Sequence, residues 1–103
     1  MSVRASDLSA LRRNAGAATS MLRALANERR LMILCLLIAD EELSAGELAE
    51  GVGLSQSATS QHLAKMREEG LVTFRRESQT LHYRIANPDV KRVIATLKVI
   101  YCD

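Results

Sequence analysis

Two helices that follow one another with almost no chain between them constrain the fold most strongly. Ser44 begins the first helix as part of a capping box, because Glu47 stands at its third position. Gly51 and Gly53 end that helix, and Ser55 caps the second one. The chain is therefore predicted to contain a short helix and a longer helix, joined by a turn of about three to four residues.

The elements on either side of this helix pair complete a specific order. Asn27 caps a preceding helix that carries an unbroken apolar run and is expected to be buried. Alternating apolar and polar residues over about 71–86 predict two strands in a hairpin, and Pro88 opens a last helix. A mostly α chain with one small β-hairpin in this order is typical of a winged helix-turn-helix. Residues 1–103 are expected to be a single domain of this kind.

The second helix of the pair, at about residues 55–69, has the polarity expected of a surface that reads DNA. Along one side of this helix lie Thr59, Leu63 and Met66, and this side can face a core. Compact uncharged polar side chains can donate hydrogen bonds to base edges in the major groove and accept hydrogen bonds from them. Side chains of this kind form a stripe along the opposite side of the helix, called the Ser/Gln stripe below: Gln56, Ser57, Ser60 and Gln61. The alternative for this segment alone is an ordinary solvated helix face.

The charge distribution favours duplex DNA over other polyanions. The net charge of +2 is too small to identify a partner by itself. Acidic residues cluster within residues 40–50, however, whereas basic residues follow the Ser/Gln stripe, including Arg75 and Arg76 at the tip of the hairpin. With only Phe74 and two tyrosines available for stacking, single-stranded nucleic acid is disfavoured. We expect the hairpin to contact phosphates or the minor groove.

Apolar surface at both ends of the chain predicts a homodimer. Residues 6–13 are expected to form a short helix with Leu8 and Leu11 turned inward, and the last helix carries a long apolar stripe. These surfaces exceed what one thin core can hide. Helices at about 6–25 and 88–102 are therefore expected to pair two copies, with their DNA-reading helices roughly 34 Å apart. The alternative is that both ends fold back onto their own core.

The first residues of the chain lack the apolar core of a secretory signal. The longest apolar run, residues 31–39, is shorter than the roughly 20 residues of a membrane-spanning helix. We therefore expect a cytoplasmic protein with no membrane partner, a setting in which a structural disulfide is unexpected.

Several motifs resemble those of the arsenic-repressor (ArsR-type) winged-helix regulators. They are Ala24-Leu-Ala-Asn-Glu-Arg-Arg-Leu-Met-Ile-Leu34, Gly46-Glu-Leu-Ala49, the segment Leu54-Ser-Gln-Ser-x-x-Ser-Gln-His-Leu63, and Arg67-x-x-Gly70-Leu-Val72. The resemblance implies a homodimeric repressor that binds an operator duplex, expected to be an inverted repeat, and releases it when an inducer binds. It makes the Ser/Gln stripe the base-facing surface, Ser55 its helix cap, and Arg75, Arg76 and Gln79 part of the wing. His62 is expected to pack or to contact phosphate rather than to bind a metal.

The only two thiols, Cys35 and Cys102, leave several readings open. A lone buried cysteine is usually a small apolar side chain. Zinc prefers four ligands, and the Cys-x-Cys pair of some metal sensors in the family is replaced here by residues 47–50. A linear Cu(I) site between two thiolates stays open. No Cys-x-x-Cys or Ser/His/Asp set suggests an enzyme, and no cofactor is expected.

The two cysteine segments resemble the branch of the family that senses reactive sulfur species or oxidants, the BigR-, SqrR- and HlyU-type repressors. That resemblance implies that Cys35 and Cys102 are the sensor and form a disulfide or polysulfide bridge within one subunit. The inducer would then be a sulfane-sulfur donor or an oxidant. The alternative function is a repressor of the same family that responds to Cu(I) or Zn(II).

Overall fold

The computed structural model describes residues 4–102 and has the predicted winged helix-turn-helix architecture, with helices predominating and one small sheet. The elements in chain order are α1 (Ala5–Leu25), α2 (Glu28–Ala39), β1 (Leu43–Ser44), α3 (Ala45–Val52), α4 (Gln56–Glu68), β2 (Val72–Glu77), β3 (Thr80–Ile85) and α5 (Pro88–Tyr101). Among the described residues, no helix is both long and apolar enough to cross a membrane.

The first helix differs from its prediction. It is one continuous helix of 21 residues, which is close to the span of 6–25 expected for the dimerisation helix but longer than the short helix expected over 6–13. Leu8 and Leu11 were predicted to face inward, but their side chains are 41% and 61% exposed. Only the last two turns of α1 pack on the core, through the buried Leu25 and the partly buried Met21 and Ala24. Because the rest of the helix extends beyond the core of its own chain, these two leucines have nothing there to cover them.

The core lies around α2, as the apolar run predicted. The side chain of Asn27 accepts a hydrogen bond from the Arg30 N–H and caps the helix. Ile33, Leu34 and Leu37 are essentially inaccessible to solvent. The helix is nevertheless not buried on every side, because Met32 is 37% exposed and Cys35 is only partly buried.

The helix-turn-helix forms with the predicted caps. The Ser44 side chain accepts from the Glu47 N–H, and the Glu47 carboxylate accepts from the Ser44 N–H and consequently has a lowered pKa. Gly53 ends α3 in the left-handed conformation, with φ of 71°. The Ser55 side chain then accepts from the Ala58 N–H and starts α4.

The hairpin pairs as predicted and gains a third strand. β2 and β3 are antiparallel, with Phe74 opposite Tyr83, and Ser78 turns the chain with φ of 56°. The short strand β1 pairs with the other edge of β3, which gives the strand order β1-β3-β2. This added strand ties the hairpin to the start of α3 and so fixes its position beside the helix pair.

Candidate DNA interface and thiol pair

The two stripes of α4 lie on opposite sides of the helix, as the sequence predicted. Thr59, Leu63 and Met66 are fully buried, and the Thr59 hydroxyl donates to the Ser55 carbonyl oxygen. Of the opposite stripe, Gln56, Ser57 and Gln61 are exposed and Ser60 is partly exposed. His62, at the border between the stripes, is partly buried. The helix therefore presents a polar, uncharged surface to solvent.

A groove separates this polar surface from the hairpin. It has a volume of about 380 Å³. Gln56 and Ser60 line it from α4, whereas Gln79 and Thr80 line it from the hairpin turn and Tyr83 from β3. The structure therefore brings the predicted residues of α4 and the wing residue Gln79 to one concave surface. A separate contact also joins α4 to β2, because the Arg67 guanidinium lies 4.2 Å from the centre of the Phe74 ring.

The two predicted wing arginines have different surroundings. Arg75 Nε lies 2.9 Å and 3.0 Å from the two carboxylate oxygens of Glu42, and its Nη1 lies 2.7 Å from Glu77 Oε2. These contacts raise the pKa of Arg75, and the Arg75 guanidinium lowers the pKa of Glu77. Arg76 is exposed, and within residues 4–102 it enters no ion pair.

A second ion pair joins α2 to the end of α4, and sequence reasoning missed it. Arg30 is only 10% exposed, and its two Nη atoms lie 3.1 Å and 2.7 Å from the carboxylate oxygens of Glu69. Arg30 also donates to the Ala24 carbonyl oxygen at the end of α1. The hydrogen bonds from Arg30 lower the pKa of Glu69. Three helices therefore meet at one guanidinium.

The two cysteines lie together although they are far apart in the sequence. Both thiols are free and line one pocket of about 320 Å³, with Cys35 supplied by α2 and Cys102 by the residue after α5. Leu31, Met32 and Leu97 provide apolar walls. Burial raises the pKa of Cys35, the neighbouring Cys102 raises it further, and Lys98 acts in the opposite direction.

In the part of the chain that the structure covers, residues 4–102, no three side chains of the His, Cys, Asp and Glu types are grouped so that they could hold a metal ion. The thiol pair thus consists of two sulfur donors in an apolar setting.

Comparisons with known proteins agree with this architecture. Residues 27–73 match the family model described as bacterial regulatory protein, arsR family. The transcriptional activator HlyU of Vibrio cholerae serotype O1 is 49% identical over 94% of this chain and 89% of its own length. A solved structure of reduced HlyU from Vibrio cholerae, 48% identical, superposes with a TM-score of 0.83 and covers 90% of this chain and 97% of that one.

The transcriptional repressor BigR from Xylella fastidiosa is also similar, with a TM-score of 0.81 and 31% identity over 91% of this chain and 92% of that one. Extensive identity to these regulators, together with the same fold, establishes the class of protein. The chain belongs to the arsR family of bacterial regulatory proteins and is a winged helix-turn-helix transcriptional regulator.

Proposed function

We propose that this regulator is a homodimeric repressor that binds an operator duplex in the cytoplasm and releases it when Cys35 and Cys102 become bridged. The observation that carries the proposal is that the two free thiols share one apolar pocket. The similarity to HlyU, for which a reduced form has been solved, supports control by thiol oxidation, and the similarity to the repressor BigR supports repression.

The proposed DNA contacts are the exposed stripe of α4 and the groove beside it. Gln and Ser side chains suit base edges, and the positive wing suits phosphates. Two copies related by a twofold axis would read an inverted repeat. The contact residues expected from the sequence are Ser55, Gln56, Ser57, Ser60, Gln61, His62, Arg75, Arg76 and Gln79. Of these, Arg75 is held by Glu42 and Glu77.

The proposed sensing chemistry begins at the more accessible thiol. Cys102 is exposed, whereas the raised pKa of Cys35 keeps that thiol protonated at neutral pH. With an oxidant, the two thiols lose two protons and pass two electrons to the oxidant, and one S–S bond forms. With a sulfane-sulfur donor, a Cys102 thiolate takes the sulfane sulfur and releases the donor as a thiol. Closing that persulfide onto Cys35 as a trisulfide again transfers two electrons to an oxidant or to further donor.

Bridging would tie α2 to the end of α5 and so alter the helix against which α4 is held by the Arg30–Glu69 pair. A coupling of about 1–3 kcal/mol changes operator affinity by roughly 5- to 150-fold. A modest change in how the two DNA-reading helices are spaced therefore suffices for regulation.

The proposal is tested by titrating a DNA duplex, selected by the reduced wild-type protein from a random pool, with three protein forms. Reduced protein should bind tightly, and protein treated with a sulfane-sulfur donor should bind at least about fivefold more weakly. Cys102→Ser, treated in the same way, should bind like the reduced wild type. Equal affinity of all three forms would refute the thiol switch while leaving DNA binding intact.

Intact mass of the treated protein identifies the bridge. A disulfide loses two hydrogens, and a polysulfide gains sulfur atoms as well. The same titration with Cu(I) in place of the sulfur donor tests the metal-responsive alternative. Stoichiometric Cu(I) binding that weakens DNA affinity, with no effect of the sulfur donor, would favour that alternative.

A further inference from the structure

We propose that Arg75 braces the wing through Glu42 and Glu77 and does not contact DNA phosphate, which leaves Arg76 as the wing cation that does. The inference rests on the proposed DNA-binding function and assigns different roles to two adjacent arginines. It follows from the contacts of Arg75, from the two faces of the hairpin and from the local charge balance.

The contacts of Arg75 join β2 to the connection between α2 and β1. Glu42 precedes β1, in the connection from α2, and lies 33 residues before Arg75 in the sequence. The two carboxylate oxygens of Glu42 accept hydrogen bonds from Arg75 Nε at 2.9 Å and 3.0 Å. Arg75 Nη1 donates to Glu77 Oε2, near the tip of the hairpin, at 2.7 Å. Arg84 Nη1 also lies 3.9 Å from Glu42. Because Glu42 lies outside the hairpin, its contacts with Arg75 of β2 and Arg84 of β3 hold the hairpin relative to the connection that follows α2.

Strand alternation places the two arginines on opposite faces of the hairpin. Arg75 is paired with His82, and Arg76 is paired with Leu81. Leu81 lines the groove toward α4 together with Gln56 and Ser60. Arg76 therefore shares its face with the surface proposed to read DNA, whereas Arg75 shares its face with Glu42.

The charge balance points the same way. The positive charges of Arg75 and Arg84 are balanced by the carboxylates of Glu42 and Glu77, so this cluster has no excess positive charge to offer a phosphate. Arg75 Nε and Nη1 are both engaged by carboxylates, so a phosphate could approach only Nη2, beside two negative charges. Arg76 has no such competitor within the described residues 4–102.

The DNA test compares Arg75→Gln with Arg76→Gln through the salt dependence of binding. The logarithm of the affinity is plotted against the logarithm of the salt concentration, for the selected duplex and for a random duplex. Losing one phosphate contact reduces the slope by about one, so a dimer that loses the contact in both copies should lose about two, whatever the sequence. We expect that loss for Arg76→Gln and an unchanged slope for Arg75→Gln. Arg4→Gln, which removes an exposed paired arginine outside the hairpin, is the control. A reduced slope for Arg75→Gln would overturn the proposal.

The brace is tested without DNA by hydrogen exchange of the β2 and β3 backbone amides. Arg75→Gln and Glu42→Gln should each speed exchange by about fivefold. Because both remove the Arg75–Glu42 pair, the double variant should exchange more slowly than the roughly 25-fold increase that two independent effects would give. Arg76→Gln should leave exchange unchanged. Unchanged exchange in Arg75→Gln, or additive effects in the double variant, would refute the brace. If the wild type prefers no sequence, the proposed function fails, while exchange and the random-duplex slope still decide the roles of the arginines.

Discussion

Arg30 is the residue whose role is least visible in its local sequence. It stands at the third position after a helix cap, yet its side chain is buried and binds a carboxylate 39 residues away. The Asn27 cap accepts only the Arg30 backbone N–H. The guanidinium is therefore free to join the ends of α1 and α4, and an unpaired charge at this position would be costly.

We predict that Glu69→Gln lowers the free energy of unfolding at pH 7 by about 1–2 kcal/mol. Hydrogen bonds to charged groups contribute about 1.5–3 kcal/mol to stability. The contribution is smaller here because solvent screens the Glu69 side chain, which is 36% exposed. The measurement is urea unfolding, and Glu68→Gln, at the exposed neighbouring position, is the matched control. A Glu69→Gln protein as stable as the control protein would contradict the prediction.

The same pair predicts a pH dependence. The pKa of Glu69 in the folded protein is lowered from its ordinary value of 4.5, chiefly by the hydrogen bonds from Arg30. Its stabilising contribution is therefore fully present above about pH 4.5 and is lost as the pH falls through the lower, folded value. The stability difference between wild type and Glu69→Gln should consequently disappear in acid. A difference that persists unchanged at pH 2 would show that it does not arise from this carboxylate.

The raised pKa of Cys35 predicts the order in which the two thiols react. Because burial and the neighbouring Cys102 hold the Cys35 thiol protonated, iodoacetamide at pH 7.4 should modify Cys102 first. Burial is the largest cause of the raised pKa and remains in Cys102→Ser, so the Cys35 rate in that variant should keep rising with pH above 9. Peptide mass spectrometry after short exposures gives the order directly. Faster modification of Cys35 in the wild type would contradict the prediction.

At the scale of elements, two glycines of α3 have opposite surroundings. A Cβ on Gly51 would lie 2.6 Å from Leu36 Cδ1, whereas a Cβ on Gly46 meets nothing closer than 3.7 Å. Gly51 thus permits the close approach of α3 to α2. We predict that Gly46→Ala stabilises the protein by up to about 1 kcal/mol through helix propensity. Gly51→Ala should give no gain or a loss, because Leu36 must move. Thermal unfolding of both variants measures the difference, and equal gains would refute it.

Local signals predicted the elements well and their contacts less well. Ser44, Ser55 and Asn27 act as caps because capping depends on residues only a few positions apart. The strand β1 was missed because a strand of two residues has no period to detect. The ion pairs of Arg30 with Glu69 and of Arg75 with Glu42 were missed because the partners lie 39 and 33 residues apart in the sequence. The proximity of the cysteines was implied only by resemblance, since α2 and α5 meet through tertiary packing.

At the scale of the whole molecule, α1 carries an apolar stripe that its own chain leaves open. Its members recur at alternating spacings of three and four residues, which is the pattern of a helix that packs along a partner helix. They are Leu8, Leu11, Ala15, Ala18 and Leu22. At the other end of the chain, Val99, Ile100 and Tyr101 of α5 are 61% to 79% exposed. Large apolar surfaces of this kind mark sites of association.

We predict that Leu11→Glu converts a dimer into a monomer. Leu11 is 61% exposed in the single chain, and burying an unpaired carboxylate in a dimer interface costs about 3 kcal/mol or more. The dimer dissociation constant should therefore rise at least about 100-fold. Sedimentation equilibrium measures this constant, and far-ultraviolet circular dichroism checks that the helices remain.

Ala17→Glu is the matched control for the dimer prediction. It adds the same charge to α1 outside the stripe, so the dimer should persist. Because a single copy offers only one DNA-reading helix, Leu11→Glu should also weaken binding to the selected duplex far more than Ala17→Glu does. A Leu11→Glu protein that remains as dimeric as the wild type would place the interface elsewhere. A folded monomer with undiminished DNA affinity would show that one copy is sufficient for binding.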